Sequence, residues 1–156
     1  MPLQIERAVP ENAEQLSAIA RAAKAHWGYP REWLSAWEPS LRITPEYLQR
    51  ALVFVGTDDR ELVGFYALEQ RGDRWSLEHL WVKPGRHGRG SGRRLLAHAI
   101  DTVRAVRPGF LVIESDPFAA GFYVRRGARQ TGMVAAPMEG DPNRRLPVFE
   151  IEVRAA

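Results

Sequence analysis

The stretch Trp75–Val106, WSLEHLWVKPGRHGRGSGRRLLAHAIDTVRAV, decides the fold of this chain. Its first part alternates with the period of a β-strand, placing Leu77, His79 and Trp81 on one face and Glu78, Leu80 and Val82 on the other. Its last part repeats apolar residues at helical spacing and predicts an amphipathic helix, whose buried stripe is Leu95, Leu96, Ala99, Ile100, Val103 and Val106. A turn with four glycines between Gly85 and Gly92 joins the two elements.

This glycine turn has the features of an anion site. Glycine lets the backbone approach a ligand closely and adopt conformations closed to other residues. The amides at the start of the following helix, together with its positive dipole end, favour a negatively charged group. Four arginines add positive charge at the same place, at positions 86, 89, 93 and 94. The turn therefore predicts a site for phosphate or pyrophosphate.

Two familiar phosphate motifs do not fit. A P-loop needs a lysine after its glycines, and a dinucleotide fingerprint needs a third glycine where this chain has Arg93 or Leu95. The segment His87–Gly92, HGRGSG, instead resembles the R/Q-x-x-G-x-G/A acetyl-CoA signature of the GNAT superfamily of N-acetyltransferases. His87 holds the position that is usually arginine or glutamine.

A second segment strengthens the resemblance. Residues 116–128, DPFAAGFYVRRGA, are similar to the family segment N-x-x-A-x-x-F-Y-x-x-x-G-F. The alanine, phenylalanine, tyrosine and glycine fall at the expected offsets, whereas Asp116 replaces asparagine and Ala128 replaces the final phenylalanine. The resemblance covers Leu62 to Val153, and the first 60 residues match loosely.

The resemblance implies acetyl-CoA as acetyl donor and assigns residues to it. The backbone of Leu80, Trp81 and Val82 would pair with the pantetheine arm, and one amide would polarise the thioester carbonyl. The turn would take the pyrophosphate, through His87, Gly88, Arg89, Gly90, Ser91, Gly92 and Arg93. The second segment contributes Asp116, Phe122 and Tyr123.

Proton transfer needs an acid and a base. Tyr123 is the candidate general acid for the departing thiolate, with helix packing as its alternative role. Glu78 is the candidate general base, acting through water, and an ordinary solvated strand glutamate is the equally weighted alternative. By alternation His79 lies on the opposite face unless a bulge re-aims it. Glu114 and Asp116 are further carboxylates able to bind or deprotonate an amine.

Aromatic residues crowd the segment from Lys24 to Trp37. They can fill the gap between short helices, or they can line an acceptor pocket and hold a cation. Both roles are compatible. The substrate-binding candidates are Trp27, Tyr29, Trp33, Glu78 and Glu114.

The remaining chain predicts an α/β (α+β) fold. This is a GNAT-like, mixed, mostly antiparallel sheet of six to seven strands, with helices on both faces and splayed central parallel strands. Short turns predict antiparallel hairpins, and the strand–helix–strand unit from 75 to 114 predicts a parallel crossover. Further strands are expected at Leu3–Val9, Leu52–Thr57, Leu62–Gln70, Phe110–Ile113, Ala128–Met133 and Leu146–Val153, and further helices after Pro10, from Thr44-Pro45 to Arg50, and at Pro117–Arg126.

Bulk composition narrows the function classes. The 156 residues predict one domain, residues 1–156, and the net charge of +3 suits an anionic cofactor without requiring nucleic acid. The sequence has no cysteine, which excludes disulfides and a cysteine nucleophile, and no metal is expected. Without a signal peptide or a long apolar run, we expect a cytoplasmic protein with no membrane partner.

The leading hypothesis is an acetyl-CoA-dependent N-acetyltransferase that acts on a small-molecule or peptide primary amine by direct transfer in a ternary complex. An acyl-CoA-binding sensor of the same fold and a nucleic-acid module are the alternatives. The acceptor stays open, because Arg31 and Arg42 can bind a carboxylate, whereas Glu32, Glu38 and the tryptophans can hold a cation. A homodimer joined at a strand edge also stays open.

Overall fold

Seven strands and five α-helices make up the described part of the chain, residues 3–156 of a computed structural model. The strands are β1 (Gln4–Arg7), β2 (Leu52–Asp58), β3 (Glu61–Arg71), β4 (Arg74–Val82), β5 (Gly109–Glu114), β6 (Arg129–Ala135) and β7 (Arg145–Val153). The helices are α1 (Ala13–Ala25), α2 (Arg31–Leu41), α3 (Pro45–Arg50), α4 (Ser91–Val106) and α5 (Ala120–Arg125), with single 3-10 turns at Pro10–Asn12, Pro84–Arg86 and Pro117–Ala119.

The strands form one seven-stranded sheet in the order β1-β2-β3-β4-β5-β7-β6. The pairs β1–β2, β2–β3, β5–β7 and β6–β7 are antiparallel. Strands β4 and β5 pair in parallel, with Arg74 opposite Phe110 and Ser76 opposite Val112. The predicted mixed, mostly antiparallel sheet is therefore confirmed, including the parallel crossover through α4.

The turn between β2 and β3 explains how the first hairpin closes. Asp59 and Arg60 both have positive φ, 51° and 69°, the left-handed conformation of a two-residue hairpin turn. Asp58 and Glu61 flank the turn as the last pair of the ladder. This turn places two acidic side chains, Asp58 and Glu61, at the tip of the hairpin, where both pair with Arg86 of the glycine turn.

The chain packs as two compact units, and the first contains described residues 3–69 and 78–99. Its core combines α1, the segment around α3 and the inner faces of β2 and β3, and includes Leu16, Ile19, Ala20, Leu41, Ile43, Leu48, Val53, Val55, Phe65 and Ala67. Ser17 is a polar exception in this core: its hydroxyl oxygen accepts a 2.8 Å hydrogen bond from the Ile43 amide. That bond fixes the chain just before α3.

The second unit contains residues 70–77 and 100–156. Trp75, Leu111, Ile113 and Phe149 are almost fully buried in it. The Trp75 indole donates a 3.0 Å hydrogen bond to the Arg107 carbonyl, which fastens the end of α4 to the start of β4. Glycine is required at the start of β5, because a Cβ at Gly109 would collide with the Asp73 carbonyl.

Three sequence expectations need correction. Helix α2 was not anticipated, because Pro39 and the aromatic run hide its periodicity. Val106 was assigned to the buried stripe of α4 but is 56% exposed, since it is the last residue of that helix. The uninterrupted apolar run Phe110–Ile113 predicts a strand buried on both faces, yet only Leu111 and Ile113 of β5 are buried, whereas Phe110 and Val112 are half-buried.

Candidate active site

The glycine turn has the backbone geometry of an anion site. Gly88 and Gly90 have φ of +82° and +80°, a region that glycine adopts without strain. The Arg94 amide donates a 3.0 Å hydrogen bond to the Gly90 carbonyl, so α4 begins directly after the second of these glycines. A Cβ at Gly88 would meet no atom within 4 Å, so the turn opens to solvent. The start of a long helix, where backbone amides lack intrahelical partners, therefore follows a turn with open space beside Gly88.

The arginines of the turn do not all serve the same end. The Arg86 guanidinium lies 2.7 Å from Glu61 and 3.3 Å from Asp58, the two carboxylates at the tip of the β2–β3 hairpin. The hydrogen bond from Arg86 lowers the pKa of the Glu61 carboxyl below its usual range. Arg86 thus anchors the turn to the hairpin, while Arg89 and Arg93 are exposed. The sequence alone does not distinguish Arg86 from Arg89 and Arg93, because the role of Arg86 depends on its contact with a hairpin distant in sequence.

His87 packs among aromatic rings at the edge of the turn. Its ring lies 5.2 Å from that of His26, edge-on, and 6.3 Å from that of Trp27, stacked. Its Nε2 is 3.3 Å from the Val82 carbonyl oxygen. Trp27, which was a candidate for acceptor binding, therefore supports the turn from the side.

The end of β4 is brought close to β3 by a glycine. A Cβ at Gly64 would lie 2.6 Å from the Trp81 carbonyl oxygen, so only glycine allows this approach. The Lys83 amide donates a 2.8 Å hydrogen bond to the Val63 carbonyl just beyond. These contacts hold Leu80, Trp81 and Val82, all half-buried, in place immediately before the glycine turn.

A cavity of about 580 Å³ opens beside Glu78 within the first unit. Its lining residues come from the end of α2, from α3 and from the strands β3 and β4: Pro39, Ser40, Arg42, Thr44, Glu46, Tyr47, Arg50, Glu69, Glu78 and His79. Glu78 is exposed and His79 half-buried, so the cavity takes in an outer and an inner side chain of β4. The two neighbours meet at one site although alternation assigned them to opposite faces.

His79 is a neutral imidazole in this cavity. Burial lowers its pKa from 6.5 to about 4, and the Glu78 carboxylate only partly opposes that effect. The Trp81 indole N–H, which can only donate, lies 2.9 Å from His79 Nδ1. Nδ1 must therefore be the acceptor nitrogen, and the proton resides on Nε2. His79 can donate a hydrogen bond from Nε2 but is too weak a base to take a proton from an amine near neutral pH.

Tyr47 is the cavity residue that sequence reasoning missed. The Thr44 hydroxyl caps α3 by accepting a 3.1 Å hydrogen bond from the Tyr47 amide, and this cap sets the position of the tyrosine. Among the described residues, its hydroxyl is the one buried side-chain polar atom without a hydrogen-bond partner. Burial first, and then the carboxylates of Glu69 and Glu78, raise the pKa of Tyr47 above its usual value. The sequence around Tyr47 gives no sign of this raised pKa, because both carboxylates belong to strands that are distant from it in the chain.

Tyr123 occupies the second unit, in a dry environment. It is 7% exposed and packs against Phe122 and Phe149, with ring centroids 5.2 and 6.1 Å away. Burial, and after it the Asp116 carboxylate, raise the pKa of Tyr123 above its usual value. Asp116 also accepts a 2.9 Å hydrogen bond from the Phe118 amide. This capping role needs only an oxygen acceptor, so aspartate serves where the family pattern has asparagine.

The other aromatic candidates form a cluster around a cation of the chain itself. Tyr29, Trp33 and Trp37 have ring centroids 4.9 to 5.8 Å apart. The Lys24 ammonium lies 4.1 Å from the Trp37 ring and 5.0 Å from that of Tyr29. A cation–π site is present, as the residue types suggested, but an internal lysine fills it. Tyr29 and Trp33 do not belong to the lining of the cavity beside Glu78.

The last predicted carboxylate, Glu114, is exposed at the end of β5 in the second unit. Residues 3–156 contain no group of three or more side chains placed to ligate a metal ion together. In the same residues no helix has the length and apolar character needed to cross a bilayer.

Comparison with known proteins identifies the family of this chain. Residues 16–128 match the model of the acetyltransferase (GNAT) family. The search of curated proteins gives no match. Among solved structures, the chain is similar to PaiA N-acetyltransferase from Thermoplasma acidophilum in complex with coenzyme A, with 19% identity, 97% of this chain and 99% of that chain covered, and a TM-score of 0.76.

Two further structures agree with this likeness. The ribosomal-protein-S18-alanine N-acetyltransferase from Escherichia coli is 19% identical over 99% of this chain and 96% of its own, with a TM-score of 0.74. YncA from Salmonella typhimurium, solved with its cofactor acetyl-CoA, is 17% identical over 100% and 96%, with a TM-score of 0.72. The family model covers more than half of the sequence, and the chain therefore belongs to the acetyltransferase (GNAT) family.

Proposed function

We propose that this protein transfers the acetyl group of acetyl-CoA to a primary amine. The observation that carries the proposal is the glycine turn, in which two left-handed glycines lead directly into α4 in a chain of this family. When bound, acetyl-CoA supplies an acetyl group activated as a thioester. The exposed backbone amides of the turn fit its pyrophosphate, with Arg89 and Arg93 adding charge. The half-buried strand end at Leu80, Trp81 and Val82 offers backbone groups to the pantetheine arm.

Glu78 acts as general base in this proposal. An alkyl amine has a pKa near 10.4, so it arrives as an ammonium ion and must lose a proton before it attacks. Glu78 is the lining carboxylate that belongs to β4, only two residues before Leu80, whose backbone is assigned to the donor. Because His79 stays neutral beside it, no cation in that position competes for the carboxylate. The proton passes from the ammonium to Glu78, directly or through water.

Tyr123 acts as general acid. Its raised pKa keeps the hydroxyl protonated throughout the neutral range, so a proton is always available for the departing thiolate. Dry surroundings also make a thiolate more basic, which offsets the weaker acidity of the tyrosine. The side chain is held by its ring contacts with Phe122 and Phe149.

The chain has no cysteine, which fits direct transfer in a ternary complex without an acylated thiol. Initial-rate kinetics with varied acetyl-CoA and amine tests this point, because direct transfer gives intersecting double-reciprocal lines and a covalent acyl-enzyme gives parallel ones. Peptide amines are included in the acceptor panel, since one solved neighbour acts on a ribosomal-protein alanine.

Calorimetric titration with acetyl-CoA, followed by an assay of amine-dependent thiol release, tests the proposal itself. We expect saturable binding at about micromolar concentration and thiol release that requires both amine and enzyme. Binding without release across alkyl, amino-acid and peptide amines would indicate an acyl-CoA sensor. Absence of binding, with salt-dependent binding of an oligonucleotide instead, would favour the nucleic-acid reading of the arginine-rich turn.

A further inference from the structure

His79 presents one hydrogen-bond donor to the cavity beside Glu78, whose lining it shares. Its Nδ1 accepts a 2.9 Å hydrogen bond from the Trp81 indole, which places the imidazole proton on Nε2. Within residues 3–156 no hydrogen bond reaches that Nε2. Because the Tyr47 hydroxyl is the one buried side-chain polar atom in this range that lacks a partner, the Nε2 of His79 is not buried but lies open to the cavity.

Aromatic neighbours hold this donor in place. The Phe65 ring, which is fully buried, lies 5.8 Å from the His79 ring, and the Tyr47 ring lies edge-on to it at 5.9 Å. Trp81 adds a ring contact at 6.5 Å to its hydrogen bond. Rotation of the imidazole would break that bond and leave the partly buried indole N–H without an acceptor, which costs free energy. The Nε2 donor is therefore fixed before a ligand arrives.

The charge of His79 decides which ligand atom suits the donor. Burial lowers the pKa of His79 to about 4, so near pH 7 the ring offers a hydrogen bond without a positive charge. A ligand carboxylate gains no ion pair from a neutral ring, and the two lining guanidiniums, Arg42 and Arg50, are already paired with glutamates. An ammonium group has no lone pair with which to accept the bond. The matching atom is a neutral oxygen.

We propose that His79 is a specificity-determining residue that selects amines carrying a carbonyl, hydroxyl or ether oxygen over alkyl amines of the same size. The oxygen accepts a hydrogen bond from His79 Nε2. Trp81 is a positioning residue, because its indole holds the imidazole in the tautomer that this bond requires. The inference rests on the proposed function, since it takes the cavity beside Glu78 as the place where the acceptor binds.

Three amines with equal numbers of non-hydrogen atoms test the inference: butylamine, 2-methoxyethylamine and 3-amino-1-propanol. Each is titrated into protein that is saturated with CoA and carries isotope-labelled histidine, so that NMR reads binding without turnover. We expect the tighter of the two oxygen-containing amines to bind at least about fivefold more tightly than butylamine, because an alkyl chain leaves the donor without a partner. It should also shift the His79 Nε2 proton signal more than butylamine does. Equal affinities for the three amines would overturn the proposal.

Two substitutions of His79 separate the two sides of its ring. Asparagine keeps an oxygen that can accept the Trp81 bond but has no donor at the position of Nε2, whereas the longer glutamine reaches that position with an N–H. His79→Asn should therefore abolish the preference for oxygen-containing amines, and His79→Gln should keep part of it. The control is His26→Gln, at an exposed histidine outside the cavity, which should leave the preference unchanged. A preference that survives His79→Asn undiminished would contradict the assignment.

Trp81→Phe tests the positioning role. It removes the indole donor and keeps an aromatic ring, so the imidazole proton of His79 should distribute between both nitrogens and the preference should shrink. Nitrogen chemical shifts of the labelled histidine report the tautomer in the wild type and in the variant. An unchanged tautomer in Trp81→Phe would remove Trp81 from the account.

Thiol release from acetyl-CoA with the same amines separates this inference from the proposed function. Oxygen-dependent binding without thiol release would overturn the transferase and leave the recognition in place. Thiol release that is equally fast with all three amines, together with equal binding, would overturn the recognition and leave the transferase in place. If His79→Asn slows release equally with all three, the donor serves the thioester and not the acceptor, which also overturns the recognition.

Discussion

The glycine turn and the cavity beside Glu78 are built on opposite principles, although both belong to the first unit. The turn offers backbone amides in a conformation that depends on Gly88 and Gly90. The cavity offers side chains, three of them carboxylates, on a backbone with no left-handed residue among those that line it. A donor common to a family can be held by backbone, which changes little with sequence. An acceptor particular to one protein must be recognised by side chains.

The comparison predicts different sensitivities. Side-chain changes in the turn should be tolerated so long as its backbone is kept, and His87 in place of arginine or glutamine is a natural instance. Single side-chain changes in the cavity should alter which acceptor is used or the rate of acetyl transfer.

Replacing Glu78 by glutamine should lower kcat/KM at least about a hundredfold, because general-base catalysis contributes roughly that much or more. Glutamine keeps the shape and removes the proton acceptor. The rate at high pH, where free amine becomes abundant, should recover part of the loss. Steady-state kinetics from pH 6 to pH 10 measures both, with Glu6→Gln as the matched control. An unchanged pH profile would remove Glu78 from the mechanism.

Gly90→Val should weaken acetyl-CoA binding by at least about tenfold, because a β-branched residue at a φ of +80° costs roughly 1–2 kcal/mol or forces the turn to rearrange. Arg89→Gln, next to it, removes an exposed charge and should weaken binding only about twofold to threefold. Calorimetry with acetyl-CoA compares the two. A larger loss for the arginine substitution would mean that side chains, and not the backbone, hold the donor.

Tyr123→Phe should lower kcat about tenfold and leave the affinity for acetyl-CoA nearly unchanged. The phenyl ring keeps the contacts with Phe122 and Phe149 and removes only the proton donor. An acceptor assay under saturating acetyl-CoA gives kcat, and titration gives affinity. If kcat is unchanged, the tyrosine serves only to pack α5.

Stability should fall between pH 6.5 and pH 4 because of His79. Its pKa is about 4 in the folded protein, against 6.5 for an ordinary histidine, so in this window the unfolded chain binds a proton that the folded protein does not. The loss is about 2 kcal/mol between pH 7 and pH 5, is on the order of 3 kcal/mol in full, and levels off below pH 4. Urea unfolding at pH 7 and pH 5 measures it. His79→Asn should flatten the decline and His26→Asn should not; equal slopes in both variants would contradict this account.

The sequence predicted the strands and helices around the glycine turn well, because each has a strong period and an abrupt boundary of glycine or proline. The helix predicted from Thr44-Pro45 to Arg50 is confirmed as α3 for the same local reason, with Thr44 as its cap. Helix α2 was not predicted, because it contains Pro39 and because its aromatic rings pack on one another instead of forming a simple apolar stripe.

The parts of the site that escaped prediction depend on contacts distant in sequence. Arg86 looked like one more cation for phosphate, but the β2–β3 hairpin supplies it with two carboxylates. Tyr47 has no motif around it, and its orphaned hydroxyl arises only when β3 and β4 bring Glu69 and Glu78 alongside. Glu78 was a candidate base from its place on β4, whereas the cavity around it could be seen only in the fold.

The most direct test of the contrast between turn and cavity compares three proteins: wild type, Gly90→Val and Glu78→Gln. Each is titrated with acetyl-CoA by calorimetry and is then assayed for amine-dependent thiol release at saturating acetyl-CoA. We expect Gly90→Val to lose affinity for acetyl-CoA, and Glu78→Gln to keep that affinity and lose kcat. Wild type that fails to bind acetyl-CoA, or a Glu78→Gln variant that loses affinity for acetyl-CoA as Gly90→Val does, would contradict the division of labour between backbone and side chains.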